Sequence, residues 1–438
     1  MTTNISIPES ALPEILRALR LPDADGEPVE NVVFALAKQY SSGGRVGLRL
    51  ERLETFKIEE YAIREAFAVQ LRPEALARVV SAVKRTGLVP VKLHRHVATT
   101  GRALAFFSGT DDAADRELAE LFGWESFASV LLADEPDGDY TFLARTVGSD
   151  GVFVSAAVIE ARLPLRVHGT GARADLDSPR FARARLEFGA GIVNGMSELR
   201  LGVVGCGGLG WRAATAAADS GIGSLLLLDR DKVEERNTLR LEAALSEDIG
   251  KPKVTTLAAY LTRRHPGLDV AAIACDVIDA LDSNGPARED LRSALGSCDV
   301  LLLVTDNHPS RLSVLIEAER LGVPYIHCGM HPITSHDMFC RLSVHVPQVT
   351  PCSVCAKNVD RAEGSRRGRG YIEGVDLPNV AAWNVIAAGY VANAVRQLAV
   401  PLPGERLRDV NAWEIGLSCP SARPMAVTRD PACVVCGR

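Results

Sequence analysis

Two C-x-x-C pairs in the C-terminal part of the chain constrain its fold more than any other feature of the sequence. The first pair is Cys352 and Cys355, and the second is Cys433 and Cys436. Two thiolates at this spacing can bind one tetrahedral zinc ion, and two such pairs supply its four ligands. Because a long segment separates the pairs, the sequence predicts a structural zinc clasp that joins two distant parts of the chain.

The composition bears on the redox state of these cysteines. The N-terminal residues show no basic head followed by an apolar stretch, so no secretory signal is predicted. Ten cysteines without secretion favour reduced thiols and metal binding, with disulfides as the alternative. The apolar runs have the length of strands, far below a membrane span. A net charge of −6 and a hydrophobic content of 47% predict a cytoplasmic globular protein that binds neither membranes nor nucleic acids.

The chain length predicts two domains, because 438 residues exceed the usual size of one core. Residues 1–165 are predicted to form the smaller domain, with mixed helices and strands, and residues 166–179, rich in Gly, Asp and Pro, a linker. Residues 180–438 are predicted to form an α/β domain, doubly wound around a mainly parallel, Rossmann-like sheet. Its predicted strands are 199–204, 225–229, 270–274, 300–305 and 325–327, and its predicted helices are 209–220, 251–264 and 309–321.

A glycine-rich loop, Gly205-Cys206-Gly207-Gly208-Leu209-Gly210, follows the first predicted strand of the α/β domain. Glycines allow a tight turn, after which the N-terminus of a helix presents free N–H groups to phosphate oxygens. Asp229 closes the next strand, where a carboxylate can accept hydrogen bonds from ribose hydroxyls. Dinucleotide-dependent oxidoreductases share both features, so the loop and Asp229 predict a nucleotide site without choosing between ATP and NAD.

Polar and cationic residues after Asp229 favour a triphosphate. They are Asp231, Asn237, Arg240 and Lys253. Asp306 lies in Thr305-Asp306-Asn307 at the end of another predicted strand, where a carboxylate could hold Mg²⁺. The oxidoreductase alternative gives no reason for these residues or for the zinc clasp.

This ordered set of motifs resembles the ubiquitin-activating enzymes and their bacterial relatives, the ThiF/MoeB adenylyltransferases. The resemblance covers residues 178–438 and includes Arg180-Phe-Ala-Arg183, the glycine-rich loop, the motif from Asp229 to Arg240, and both cysteine pairs. It implies a homodimer that uses ATP to adenylate the C-terminal carboxylate of a ubiquitin-like or sulfur-carrier protein.

The resemblance also implies roles for individual residues. Asp229 would bind the ribose, Asp306 would bind Mg²⁺, and Arg183 would reach the phosphates from the partner subunit. Asn237, Arg240 and Lys253 would contact the phosphates directly. The rest of the expected nucleotide site consists of Gly205, Gly207, Gly208, Gly210, Asp231 and Asn307.

Many members of this family carry the activated protein onward on a cysteine that follows the first C-x-x-C pair. Residues 356–379 contain no cysteine here, and Cys419 is the only further cysteine between the two pairs. We therefore expect adenylation without a covalent thioester. The alternative is an enzyme that acts on a short peptide or small protein. A basic segment with Arg366, Arg367 and Arg369 could enclose the flexible tail of the substrate.

A second set of candidate metal ligands lies in the first domain. His94 and His96 alternate along a predicted strand and therefore project to one side, and Asp111 could complete a three-ligand zinc site. The fourth position would hold a water, with a glutamate as general base. The pattern resembles the JAB/MPN metalloproteases over residues 30–160, whose members cleave peptide or isopeptide bonds after ubiquitin-like proteins. The resemblance implies that Glu51 is the base and that Ser108 stabilises the oxyanion.

The first domain departs from that family in two respects. Val97 stands where the family has proline, and His96 and Asp111 are fifteen positions apart, a few more than usual. Glu54, Glu59 and Glu60 compete with Glu51 for the role of base. The alternative for this domain is a non-catalytic clamp that holds the substrate of the adenylating domain.

Overall fold

The computed structural model describes most of the chain, which forms two compact units. The described residues are 2–66, 68–97, 106–124, 126–135, 139–169, 178–332, 338–359, 381–399, 407, 409–419 and 421–437. The first unit comprises Met1–Tyr40, Gly44–Ala161 and Val167–Thr170, and the second comprises Ser41–Gly43, Arg162–Arg166 and Gly171–Arg438.

The first unit is built on a mixed sheet whose strands come from its whole length. The strands are β1 (Thr2–Pro8), β2 (Val32–Ser42), β3 (Arg45–Glu54), β4 (Tyr61–Glu65), β5 (Ala68–Leu71), β6 (Val89–Arg95), β7 (Ala128–Asp134), β8 (Tyr140–Val147), β9 (Phe153–Ala161) and β10 (Arg166–His168). Eight of them form one sheet in the order β1-β3-β2-β6-β7-β8-β9-β10, and β4 and β5 form a separate ribbon. Because β1 also pairs in parallel with β9, seven strands close into a ring.

The alternation of side chains along β6 divides the ring into an inside and an outside. Val91 and Leu93 are fully buried in a core that also contains Ile5 and Val130. The helix α1 (Leu12–Leu19) contributes its apolar side to this core. Lys92 and His94 therefore project from the opposite face of β6.

Two further helices belong to the first unit, α2 (Pro73–Thr86) and α3 (Gly109–Phe122). A second apolar cluster contains Phe34 of β2, Val79 of α2 and Ala119 of α3. The strand β10 occupies the beginning of the stretch 166–179 that was predicted to be a linker, and residues 170–177 lie outside the described residues. The bend after α2 uses Gly87, whose φ of +68° lies in the left-handed region.

The sheet of the second unit begins as a parallel sheet and ends as an antiparallel one. Its strands are β11 (Arg200–Val204), β12 (Ser224–Leu228), β13 (Asp269–Ile273), β14 (Val300–Leu303), β15 (Tyr325–Pro332), β16 (Met338–His345), β17 (Ala412–Gly416) and β18 (Ser421–Pro424). The order is β13-β12-β11-β14-β15-β16-β17-β18, and the first five strands are parallel. These five agree with the predicted Rossmann-like sheet. The antiparallel strands β16–β18 extend the sheet beyond the five predicted strands.

The helices of the second unit lie mostly between its strands in sequence. They are α4 (Ala182–Phe188), α5 (Ala190–Glu198), α6 (Gly208–Asp219), α7 (Lys253–Arg264), α8 (Val277–Asp282), α9 (Pro286–Gly296), α10 (His308–Leu321) and α11 (Ala381–Ala399). The chain order around β11 reverses between β12 and β14, which makes this the switch point where doubly wound sheets bind ligands. Among the described residues, no helix combines the length and the apolarity needed to cross a membrane.

Candidate functional site

The loop between β11 and α6, residues 205–210, lies at the switch point of the second sheet, and we call it the phosphate loop. Gly205 has a φ of +98°, and a Cβ at this position would lie 2.9 Å from the backbone of Val304 and Thr305. A Cβ on Gly210 would lie 1.8 Å from the carbonyl oxygen of Gly205. Gly205 and Gly210 are therefore required by the folding of the loop itself. At Gly207 a Cβ would meet nothing within 4 Å, so this position keeps open space above the loop.

The helix that follows the phosphate loop is packed closely from one side. A Cβ on Gly208 would lie 2.5 Å from the side-chain nitrogen of Asn384, which belongs to α11. The N-cap residue of α6, Gly207, has no side chain that could accept from the first N–H groups. Such N–H groups and the dipole of the helix are suited to bind a phosphate.

Asp229 joins the end of β12 to the phosphate loop. The backbone N–H of Cys206 donates to Asp229 Oδ2 at 2.6 Å, and that of Asp231 donates to Oδ1 at 2.8 Å. Burial raises the pKa of the Asp229 carboxyl, and the nearby Lys253 ammonium opposes this shift. Each oxygen still has a lone pair for a further donor, such as a sugar hydroxyl.

Lys253 and Asp231 form an ion pair next to Asp229. Lys253 Nζ lies 2.8 Å from Asp231 Oδ2, and the backbone N–H of Lys253 donates to the Asp231 carbonyl at 2.9 Å. The Lys253 side chain is 7% exposed, whereas that of Asp231 is 47% exposed. An anionic ligand could therefore attract the Lys253 ammonium away from Asp231, because solvent can hydrate the exposed Asp231 carboxylate.

Asn237 and Arg240 follow on a short turn after β12. Asn237 is buried, and its Oδ1 accepts from the backbone N–H of Glu234 at 3.3 Å. Arg240 is half-buried, and its Nε has no hydrogen-bond acceptor among the described residues. A buried donor without an acceptor among the described residues fits a place for an anion.

The remaining residues predicted for the nucleotide site are spread over the loop after β14, the start of α10 and the helix α4. Asp306 follows β14 and is exposed. Asn307 is the N-cap of α10, where its Oδ1 accepts from the backbone N–H of Ser310 at 2.8 Å, and this capping role alone accounts for an asparagine there. Arg183 is exposed on α4.

The four-cysteine cluster consists of Cys352, Cys355, Cys433 and Cys436, whose sulfur atoms all lie within 4.8 Å of one another. Three of the sulfur–sulfur distances are 3.8 Å (352–355), 3.5 Å (352–433) and 3.6 Å (355–436). Four thiolates at about 2.3 Å from a tetrahedral zinc ion would be about 3.8 Å apart. The cluster therefore fits a zinc ion with a closed coordination shell.

Hydrogen bonds connect the first cysteine pair to the second sheet. The backbone N–H of Ser353, between Cys352 and Cys355, donates to the Tyr325 hydroxyl at 3.1 Å, and the hydroxyls of Ser343 and Ser353 are 2.7 Å apart. Burial raises the pKa of Tyr325 well above its usual value, so the hydroxyl stays protonated. The four-cysteine cluster is thus attached to β15 and β16.

The other cysteines differ in their surroundings. Cys419 is exposed, and Cys206 is fully buried in the phosphate loop, where burial and the Asp229 carboxylate raise the pKa of its thiol. Cys298, Cys328 and Cys340 are buried. Cys275 is partly exposed. The basic segment with Arg366, Arg367 and Arg369 lies outside the described residues.

In the first unit, His94, His96 and Asp111 come together on the outer face of the ring, and we call them the histidine–aspartate cluster. His94 Nε2 lies 2.8 Å from Asp111 Oδ1, and His96 Nε2 lies 3.1 Å from Asp111 Oδ2. His94 is 1% exposed, yet neither of its nitrogens makes a hydrogen bond of acceptable geometry among the described residues. His94 Nε2 thus approaches Asp111 Oδ1 at 2.8 Å without hydrogen-bond geometry, and this arrangement fits a metal ion between the histidines and the carboxylate.

The charge states of His94 and Asp111 also fit a metal. Burial and the positive charge of Lys92 lower the pKa of His94 to about 4, so the imidazole is neutral at pH 7. Burial raises the pKa of Asp111, but the close approach of His94 and His96 outweighs it and holds the pKa well below the usual value. Neutral imidazoles and an ionised carboxylate are the forms that bind metals. Ser108 donates from Oγ to Asp111 Oδ2 at 2.7 Å and caps α3.

The glutamate beside this cluster is Glu30, which is not among the predicted candidates for the base. Val32 pairs with His94 in the antiparallel pair of β2 and β6, and continuing this register places residue 30 opposite His96. Burial raises the pKa of Glu30 to about 7, and His96 and Asp111 also act on it. In the sequence Glu30 lies two residues before the apolar strand β2, but the strand pairing that brings Glu30 to His96 was not visible there.

Glu51, the predicted base, lies elsewhere. It is exposed on β3, and β2 stands between β3 and β6 in the sheet. Two strand spacings amount to roughly 10 Å, too far for a proton transfer at the cluster. Of its competitors, Glu54 pairs with Arg52, Glu60 with Arg78, and Glu59 is exposed.

Comparisons with known proteins place the second unit in a family. Residues 181–426 match the model of the ThiF family, and this match covers more than half of the chain. The chain belongs to the ThiF family.

Several curated proteins are similar to parts of the chain. The sulfur carrier protein ThiS adenylyltransferase of Escherichia coli is 32% identical over 124 residues, which are 28% of this chain and 46% of that protein. The SAMP-activating enzyme E1 of Haloferax volcanii is 29% identical over 132 residues, 30% of this chain and 46% of that protein. The chain thus spans about half the length of these relatives. The molybdopterin-synthase adenylyltransferase of E. coli is 26% identical over 247 residues, 56% of this chain and 89% of that protein.

Among solved structures, E. coli MccB with ATP is similar over 60% of this chain and 76% of that chain, with 23% identity and a TM-score of 0.46.

Proposed function

We propose that this chain uses ATP to adenylate the C-terminal carboxylate of a ubiquitin-like or sulfur-carrier protein. The observation that carries the proposal is the arrangement at the switch point of the second sheet, where Asp229 joins the phosphate loop and stands beside the ion pair of Lys253 and Asp231. Membership of the ThiF family supports the choice of ATP, and the relatives include adenylyltransferases named for a sulfur carrier protein and for molybdopterin synthase.

In this proposal the residues of the second unit bind and orient ATP. The N–H groups at the start of α6 and in the phosphate loop bind phosphate oxygens, and Asp229 accepts from the ribose hydroxyls. Lys253, Arg240 and Asn237 would neutralise and hold the polyphosphate. Asp306, exposed after β14, would hold a Mg²⁺ ion, which would offset the negative charge of the phosphates.

The reaction then needs positioning more than a protein nucleophile. A carboxylate oxygen of the substrate attacks the α-phosphorus, a new oxygen–phosphorus bond forms, and the bond to the leaving pyrophosphate breaks. Neutralisation of the phosphate charges and an in-line approach would supply most of the rate enhancement. We propose a homodimer in which the exposed Arg183 of one subunit reaches the phosphates bound by the other.

The four-cysteine cluster has a structural role in this proposal. Four ligands would close the coordination shell of a zinc ion and leave no position for a substrate. The cluster would hold the end of the chain against the turn that precedes the segment 360–380.

The surroundings of the cysteines indicate whether the adenylate is passed on to a thiol of the enzyme. Cys206 is buried with a raised pKa, and Cys419 is exposed in the turn after β17. A thiol that receives an acyl group must be exposed and easily ionised, and burial removes Cys206 from this role. A product released without a thioester is compatible with either a carrier protein or, as the alternative, a short peptide substrate.

The test is ATP–pyrophosphate exchange with labelled pyrophosphate. The probes are a ubiquitin-like protein with a free C-terminal Gly-Gly carboxylate, the same protein with an amidated C-terminus, and a short peptide with the same last residues. Exchange with the free carboxylate alone supports the proposal. Exchange with the peptide but not the protein supports the alternative substrate, and NAD binding without any exchange would overturn both.

We propose a second activity for the first unit, a JAB/MPN-like metallopeptidase that processes or releases the same carrier protein. The observation that favours it is the convergence of His94, His96 and Asp111. A zinc ion held there would polarise a carbonyl group and lower the pKa of a bound water. Glu30 takes the role first assigned to Glu51, because a carboxyl with a pKa of about 7 can accept and return a proton near neutral pH. Ser108 would donate to the developing oxyanion.

The experiment for this activity compares three variants on a fusion of the carrier protein to a C-terminal extension. His94→Ala and Glu30→Gln should abolish cleavage, whereas Glu51→Gln, the matched control on β3, should leave it unchanged. All three should retain pyrophosphate exchange. If cleavage is absent from the wild type, and deletion of the first unit weakens binding of the carrier, the unit is a non-catalytic clamp.

A further inference from the structure

Next to the histidine–aspartate cluster, the side chains of Lys92, Asp115 and Arg145 form buried ion pairs that have no part in the proposed chemistry. Lys92 precedes His94 by two residues on β6, so their side chains share one face of the strand. Lys92 Nζ lies 2.7 Å from Asp115 Oδ1 and 3.9 Å from Asp111 Oδ1. Asp115 is fully buried, and the Lys92 side chain is 7% exposed.

Arg145, on β8, binds the other oxygen of Asp115. Its Nε and Nη2 donate to Asp115 Oδ2 at 2.9 and 2.7 Å. The guanidinium carbon lies 3.8 Å from the ring centre of Phe107 and 3.9 Å from that of Phe153. A buried carboxylate that binds two cations, one of them packed on two aromatic rings, is fixed in position by directional and strong contacts.

The position of Asp115 determines the position of Asp111. The two residues are one helical turn apart on α3, so their side chains lie on the same face of the helix. The contact of Asp115 with Lys92 fixes this face against β6, the strand that carries both histidines, and the contact with Arg145 fixes it against β8. A rotation or translation of α3 would displace Asp111 together with the helix and would therefore increase its distance from His94 and His96.

The same contacts decide which carboxylate faces the histidines. Both oxygens of Asp115 are bound by cations, Oδ1 by Lys92 and Oδ2 by Arg145. Asp115 is therefore a poor competitor for a metal ion, and Asp111 is left as the carboxylate next to the two imidazoles. A zinc ion would then have three protein ligands and one open position, the arrangement of catalytic sites.

We propose that Asp115, together with Lys92 and Arg145, is a positioning residue of the metal site in the first unit. It fixes α3 so that Asp111 stands where it can bind a zinc ion held by His94 and His96, without touching the ion itself. Residues that orient metal ligands in this way typically contribute 10- to 100-fold in metal affinity. The inference rests on the proposed metal site of the first unit.

The experiment measures metal binding by the full chain. Zinc per chain is determined across a series of zinc buffers for the wild type, His94→Ala, Asp115→Asn and Asp112→Asn. Asp112 is the matched control, because it also lies on α3 and binds Arg145 but is 37% exposed. The absorption spectrum of the Co²⁺-loaded protein is recorded in parallel, since the thiolate bands of the four-cysteine cluster serve as an internal standard.

We expect two zinc ions in the wild type and one in His94→Ala. Asp115→Asn should weaken the second zinc about 10- to 100-fold and change the Co²⁺ bands outside the thiolate region, and Asp112→Asn should behave like the wild type. Because Asp115→Asn could unfold the unit, the triple variant Lys92→Met/Asp115→Leu/Arg145→Met replaces all three buried charged side chains with apolar groups, a change that such sites often tolerate. It should fold, as judged by circular dichroism, and show the same loss.

Two results would overturn the inference and leave the metal site standing. One is wild-type affinity and an unchanged Co²⁺ spectrum in both Asp115 variants. The other is an equal loss in Asp112→Asn, which would mean a general effect of charge. A wild type that binds one zinc ion, unaffected by His94→Ala, would overturn the proposed metal site itself.

Discussion

The backbone N–H of Cys206 and the carboxylate of Asp229 are joined by a hydrogen bond of 2.6 Å. The bond connects the end of β12 to the phosphate loop, and the second oxygen of Asp229 accepts from the backbone N–H of Asp231. One carboxylate therefore holds two turns at the edge of the sheet in place before a nucleotide arrives. The site is preorganised by the same group that we propose to bind the ribose.

Replacement of Asp229 should lower the affinity for ATP. We expect Asp229→Ala to weaken ATP binding about 10- to 100-fold, because hydrogen bonds to a charged group contribute about 1.5–3 kcal/mol each. Isothermal titration calorimetry with ATP and Mg²⁺ measures the change. Asp269→Ala is the control, since Asp269 lies at the amino end of β13, whereas Asp229 follows the carboxyl end of the neighbouring β12. Equal affinities of Asp229→Ala and the wild type would remove Asp229 from the site.

Replacement of Lys253 should reduce the preference for ATP over AMP. We expect Lys253→Gln to bind ATP at least about 10-fold more weakly and AMP almost as well as the wild type, because the lost charge acts on the terminal phosphates. Competition between each nucleotide and a fluorescent ATP analogue gives both affinities. Lys251→Gln is the control, as Lys251 is exposed and pairs with Asp248. A parallel loss of ATP and AMP would contradict a phosphate contact.

The phosphate loop should tolerate a methyl group at Gly207 but not at Gly210. A Cβ on Gly210 would lie 1.8 Å from the Gly205 carbonyl oxygen, so the backbone must shift. Overpacking of this kind costs about 1–3 kcal/mol or more, which should appear as a lower melting temperature of Gly210→Ala. Gly207→Ala has open space and should melt within a few degrees of the wild type. The same melting temperature for both variants would contradict the described loop.

Loss of one cysteine of the four-cysteine cluster should release its zinc and loosen the end of the chain. We expect Cys433→Ser to lose one zinc ion per chain and to be cleaved faster by trypsin near its C-terminus, because metal binding contributes directly to folding. Cys419→Ser, which changes an exposed cysteine outside the cluster, should keep its zinc and its resistance. A protease-resistant Cys433→Ser protein would show that the cluster is dispensable for folding.

The strands that depend on local sequence pattern were predicted, whereas the features that depend on pairing between distant strands were missed. The parallel strands β11–β15 follow from short apolar runs between helices, each of which is visible in its own segment. The ring of the first unit depends on the pairing of β1 with β9, for example Ile5 with Val158, and no local pattern encodes a contact between such distant residues. The antiparallel strand β18 had no strand-like pattern, because all four of its residues are exposed.

The same distinction holds at the candidate sites. Cysteines and histidines at metal-binding spacing are visible in the sequence, and the structure brings both sets together. Glu30 was missed because its place opposite His96 depends on the register of β2 and β6. A side chain's neighbours across a sheet are set by the fold, whereas its neighbours along the chain are set by the sequence.

The ring of seven strands has a consequence for how the protein is made. The strand β1 is synthesised first, but one of its two edges has no partner until β9 has left the ribosome some 150 residues later. A nascent chain therefore carries an unpaired strand edge for about 8–30 s, because about 150 residues are translated at about 5–20 residues per second. The synthesis of β9, at the far end of the first unit, thus determines when β1 can complete its pairing.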